Sequence, residues 1–172
     1  MTPSFFGCPQ AHFRALISAW ILAWVPVAAG HAAAPELPLA ADFSADAQAA
    51  AERRVPILVF YSRDGCSWCE MARRSYLRPL ADDPQGAQRV LIREVRLDMT
   101  RQRLAGFDGR RTTHAAFARE RRVKLTPTLD FLDARGQRLV DPLVGVSLPD
   151  FYGVFIDRAI DESLAKLRAE PK

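Results

Sequence analysis

Hydrophobic and polar residues follow each other along the chain with periods that change from segment to segment, and the changes mark the elements. Pro56 opens a near-continuous apolar run, Ile57-Leu58-Val59-Phe60-Tyr61, rich in β-branched and aromatic types. Such a run predicts a strand buried on both faces, as in a parallel sheet. Ahead of it, Asp42 to Arg54 is alanine-rich and predicts a helix, with Ser44 as its cap. Behind it, Ser62 to Gly65 gives way to a helical segment from Cys66, with Met71, Tyr76 and Leu77 near one side. Pro79 and the cluster Asp82-Asp83-Pro84-Gln85-Gly86 predict its end.

The second half repeats the alternation. Val90 to Met99 carries Leu91, Val95 and Leu97 in a second strand, and a polar loop through Gly106 and Gly109 leads to a short helix, Thr113 to Arg122, capped by Thr112 or Thr113. Val123 to Leu132 reads as a third strand, interrupted near its start by Pro127. Asp133 to Gly136 reads as a hairpin turn with Gly136 left-handed, and Arg138 to Val146 as the returning strand. Ser147-Leu148-Pro149-Asp150 has the form of a capping box with proline in the first turn. Phe151, Phe155, Ile156, Ala159, Ile160, Leu164 and Leu167 then keep a stripe at three-to-four spacing. A leading helix followed by β-α-β-α-β-β-α predicts one α/β sandwich.

Residues 1 to 34 pattern as a secretory leader: His12 and Arg14, an apolar stretch from Ala15 to Ala29, then small residues from Gly30 to Ala34, with cleavage expected between 30 and 34. That expectation makes the protein periplasmic, or membrane-anchored if the leader stays uncut. Residues 35 to 41 follow as a linker, and 42 to 170 as the folded domain. The apolar stretch is shorter than the ~18 to 20 residues of a spanning helix, which excludes a multi-span membrane protein. Cys8 leaves with the leader, so the mature chain keeps Cys66 and Cys69 in an oxidising compartment.

Charge changes little. The formal net charge is +4, and cleavage removes Arg14 and no acid, giving +3. The densest basic stretch, Arg119-Glu120-Arg121-Arg122, contains an acid and no aromatic for base stacking, so it reads as a solvated helix face and no nucleic-acid partner is expected. Hydrophobic residues make up 49% and charged residues 26%, an ordinary globular balance that excludes disordered and fibrous classes.

Cys66-Ser67-Trp68-Cys69 lies between a buried strand and a helix. A thiolate at a helix start faces unpaired backbone N–H groups, which lower a cysteine pKa from ~8.5 toward ~7 or below. Cys66 then suits attack on a substrate disulfide, and Cys69, one turn further in, suits resolution of the mixed disulfide. Other readings remain. A c-type haem needs histidine after the second cysteine, where this chain has Glu70. A structural zinc site needs four ligands, and the mature chain adds only His114. Copper held by Cys66, Cys69 and His114 stays open, with His114 otherwise a surface or capping residue, as does an inert structural disulfide.

The stretch Ile57 to Cys69, Thr126-Pro127-Thr128, and Val144-Gly145-Val146-Ser147 running into a last amphipathic helix together resemble the thioredoxin superfamily, over about residues 42 to 168. Exported bacterial thioredoxin-like proteins of sulfur oxidation and cytochrome c assembly are the nearest in pattern. The resemblance implies a three-layer sandwich with a central mixed sheet of about four to five strands flanked by helices. It further implies a cis Thr126-Pro127 bond opposite the disulfide, substrate docking on Thr126, Pro127 and Trp68, and tuning of the potential by Gly65, Ser67 and Glu70. Two positions depart from cytoplasmic thioredoxins: Gly65 stands where they carry Trp, and Phe60 where they carry a buried Asp, which leaves water or Glu70 to deprotonate Cys69. With no charge in Ser67-Trp68, an intermediate or reducing potential is expected. The expectation is therefore a monomeric thiol-disulfide oxidoreductase, reducing exported disulfide-containing proteins, with no dissociable cofactor, no bound metal and a membrane thiol carrier as electron source. A disulfide oxidase or isomerase and a copper chaperone are the alternatives.

Overall fold

A computed structural model of the chain describes residues 36–169; the expected leader lies outside them. Strand β1, Ile57–Ser62, is buried at every position, as its unbroken apolar run requires. It is covered on both edges: β2 (Leu91–Arg96) pairs with it in parallel and β5 (Thr128–Leu132) antiparallel. β6 (Leu143–Val144) adds to β5, giving the order β2-β1-β5-β6 in a mixed four-stranded sheet flanked by helices. The core gathers Ile57, Leu58, Phe60, Tyr61, Leu129, Phe131 and Leu132 from the sheet with Leu77, Phe117, Ile156 and Ile160 from helices.

Helix α1 is Phe43–Arg53, and its cap is Asp42, not Ser44. The Asp42 carboxylate accepts from the backbone N–H groups of Ser44 and Ala45, and the Ser44 hydroxyl donates to it at 2.5 Å. One residue satisfies two helix-start donors, which a serine two positions later cannot do. Residues 36 to 41, expected as a linker, pack instead. Ala40 N–H donates to the Glu94 carbonyl and Glu94 N–H to the Pro38 carbonyl, while Leu37 and Ala40 are buried. This covers the outer edge of β2, whose backbone groups would otherwise stay unpaired.

The helix that begins after Cys66 does not stop at Pro79. It runs as α2 (Ser67–Ala72), a π-helical turn (Arg73–Leu77) and α3 (Arg78–Asp82), followed by α4 (Pro84–Arg89). Proline has no N–H to donate backwards, and a wider turn just upstream absorbs that gap, leaving Pro79 in the first turn of α3.

The polar loop contains a small hairpin, β3 (Arg103–Ala105) with β4 (Arg111–Thr113), and α5 (His114–Glu120) is capped by the Thr113 hydroxyl, which accepts from Ala116 N–H. The third strand starts only after Pro127, and the returning strand shrinks to two residues after Pro142, because neither proline can donate to a ladder. Gly136 is left-handed as expected. The capping box does not form: Pro149–Phe151 is a 3-10 turn without a side-chain cap, held by the Tyr76 hydroxyl donating to the Pro149 carbonyl at 2.7 Å, and α6 runs Tyr152–Ala169.

Candidate active site

Gly65 sets the site's approach. Its φ is +68°, a left-handed conformation that glycine adopts without strain, and no atom stands within 4 Å of where a Cβ would lie. The chain thus turns sharply at the C-terminal end of β1 and delivers Cys66 as the cap of α2.

Cys66 and Cys69 are joined in a disulfide with Cα atoms 5.2 Å apart. Cys69 N–H points at Cys66 Sγ at 3.1 Å, so an orphan donor of the helix start meets the first sulfur. The two sulfurs differ in access: Cys66 is half-buried, whereas Cys69 is 1% exposed. Thr126 and Pro127 are joined by a cis peptide bond, and the Thr126 hydroxyl faces Cys66 Sγ at 3.7 Å. Pro127 itself is buried, its carbonyl accepting from Gly145 N–H at 2.7 Å, which ties its loop to the end of β6.

Beside Cys66 opens a cavity of about 380 Å³ whose lining includes Gly65, Ser67, Glu70, Arg73, Glu94 and Arg96. Gly65, Ser67 and Glu70 therefore line the same cavity as Cys66. Trp68 does not line it and is 51% exposed. Leu125, next to Thr126, and Val144, opposite Thr128, are exposed as well, so apolar surface stands on the segments around the disulfide.

The acids next to the disulfide in sequence are both engaged in ion pairs. Asp64 pairs with Arg96, and Glu70 pairs with Arg73 and Arg74. Glu70 is thus held by two guanidinium groups.

His114 is not a surface residue. It is fully buried, its Nδ1 accepting from Arg96 N–H at 3.2 Å and its Nε2 within 3.0 Å of the Ala40 carbonyl. Both ring nitrogens are committed to the backbone, which removes it from a copper site with the cysteines. Among the described residues no group of three or more His, Cys, Asp and Glu is placed to hold a metal ion.

The sequence reading missed Glu94 and Arg73. Glu94 is 2% exposed in β2, directly opposite Phe60, and is bonded to Ser62 and Arg73. The available signal was an acid inside the alternating apolar strand Leu91 to Leu97.

A sequence profile described as a thioredoxin-like domain matches residues 43–150. The chain belongs to the thioredoxin-like family. With a disulfide between a buried strand and a helix in this fold, it is a thioredoxin-like thiol-disulfide oxidoreductase. Solved structures similar to it include a thioredoxin-like protein, Trxlp, from Edwardsiella tarda, 24% identical over 64% of this chain and 90% of that one, with a TM-score of 0.46. A poplar thioredoxin h is 21% identical over 67% and 86%, at 0.44. A DsbH oxidoreductase is 19% identical over 75% and 88%, at 0.49. No curated protein matches the chain.

Proposed function

We propose that the protein is an exported reductase for disulfides in periplasmic proteins, with Cys66 as nucleophile and Cys69 as resolving thiol. The observation that carries the assignment of roles is the asymmetry of the pair. Cys66 is partly open, meets a helix-start N–H and faces Thr126, while Cys69 is sealed one turn deeper. In the reduced protein the Cys66 thiolate attacks a client disulfide, forming a Cys66–client disulfide and releasing one client thiolate. Cys69 loses its proton and attacks Cys66 Sγ, restoring the internal disulfide and releasing the second client thiolate. The client gains two electrons and the protein loses two.

Trp68, Leu125 and Val144 offer apolar contact to an extended client segment, and Thr126-Pro127 supplies the edge against which it docks. The leader pattern in residues 12 to 34 supports export. In an oxidising compartment the dithiol must be regenerated by a donor, and a membrane-embedded thiol carrier fits that need. Equilibration of the purified protein in glutathione buffers tests the direction of flow. A potential near or below about −270 mV is expected, and one near about −120 mV would make it an oxidase instead.

A further inference from the structure

Lining the cavity beside Cys66 is a pair of charges that the exchange reaction itself does not use. Glu94 is 2% exposed in the middle of β2. Its carboxylate accepts from the Ser62 hydroxyl, from Arg73 Nη2 at 2.5 Å and from Arg73 Nε at 3.3 Å. The Arg73 guanidinium lies 5.5 Å from the centre of the Phe60 ring and also reaches Glu70. Arg73 stands one helical turn after Cys69, its backbone N–H donating to the Cys69 carbonyl. Glu94, Arg73 and Cys66 all line the same cavity of about 380 Å³.

Stability does not explain this pair. A buried ion pair repays its desolvation only in part, and apolar residues of the same volume often serve as well. Its electrostatic reach does matter, because charges this shielded are little screened by salt. The Arg73 side chain is 15% exposed and that of Glu94 3%, against 43% for Glu70, so Glu94 is the lasting counter-charge to Arg73. An uncompensated cation at this place stabilises thiolates and so favours the reduced protein, which makes a dithiol more oxidising.

Building on the reductase reading above, we propose that Glu94 is a positioning residue that clamps Arg73 and offsets its charge at the Cys66–Cys69 pair, keeping the reduction potential low. Glu94→Gln keeps the shape and a hydrogen-bond acceptor while removing the charge. Arg73→Gln removes the cation and leaves the carboxylate.

The test is equilibration of the full chain and both variants in glutathione buffers, with the Cys66 pKa read from thiolate absorbance. Glu94→Gln is expected to shift the exchange equilibrium roughly tenfold toward the reduced protein, about 30 mV upward, and to lower the Cys66 pKa. Arg73→Gln is expected to shift both the opposite way, and the double variant to return within about threefold of the parent. A role in packing alone gives no such reversal of sign. If the parent exchanges normally but Glu94→Gln leaves the potential unmoved or more reducing, the inference is overturned and the reductase reading stands. If the parent does not exchange at all, both fall. Should Glu94→Gln fail to fold, an upward or absent shift in Arg73→Gln alone overturns the inference.

Discussion

His114 ties three parts of the fold together, and its removal or protonation has a calculable effect. Arg96 N–H donates to Nδ1, so the neutral ring carries its hydrogen on Nε2 and donates it to the Ala40 carbonyl. Helix α5, strand β2 and the segment before α1 meet at this one imidazole. Burial, the largest influence, holds its pKa below the ordinary 6.5, against the pull of the Ala40 carbonyl and Glu94 in the other direction. As pH falls below 6.5 the unfolded chain takes up a proton that the folded chain refuses. Stability is therefore lost on acidification, by at most about 1.4 kcal/mol per pH unit, until the folded pKa is reached. Above pH 6.5 the contribution is fully present. His114→Gln cannot titrate, keeps one donor and one acceptor, and gives up about 1–2 kcal/mol at neutral pH through poorer geometry. Urea unfolding of the two proteins between about pH 8 and pH 5.5 measures the gap between them. It is expected to be constant above pH 7 and to narrow below 6.5. A gap that stays fixed, or widens on acidification, would refute the assignment of a buried neutral ring.

Other predictions concern packing and approach. Phe43 is buried and stacks on Phe107 at 4.9 Å and on Phe117 at 4.7 Å between ring centres, so Phe43→Ala should cost about 3–5 kcal/mol in denaturant unfolding. Gly65→Ala meets no neighbour but must hold φ at +68°, so it should cost roughly 1–2 kcal/mol and leave the disulfide able to form; a neutral result would show that the turn relaxes. Trp68→Ala should lower kcat/KM for a protein disulfide about 3–10-fold, equal to roughly 0.7–1.4 kcal/mol of lost contact, without changing the rate with a small disulfide. An equal loss on both substrates would place Trp68 in the structure of the helix start, not in client contact.

Local signals made much of this legible in the sequence. The run Ile57 to Tyr61 is apolar on both parities and is buried on both; Thr113 caps α5; Gly136 turns left-handed; and the stripe from Ile156 to Leu164 faces the core. Cys66, Cys69 and Thr126-Pro127, 57 positions from the second to the third cluster in sequence, come together as the family resemblance implies. The failures are of two kinds. Where a local rule competes with backbone chemistry, the chemistry decides. Pro142 delays the start of the returning strand, Pro79 is accommodated by a π turn, and β3 and β4 escape notice because only Leu104 and Ala105 of their six residues are buried. Where a side chain's partner lies far away in sequence, no local pattern reveals it. His114 bonds to Ala40 across 74 residues and Glu94 to Arg73 across 21, and these two contacts change the reading of the site most.

Trapping decides the central claim. After incubation with a disulfide-linked client, the reduced Cys69→Ser variant is expected to accumulate as a mixed disulfide through Cys66, seen by mass spectrometry, whereas Cys66→Ser yields none. Adducts forming equally on both variants, or on neither, would contradict the division of labour between an accessible attacking sulfur and a sealed resolving one.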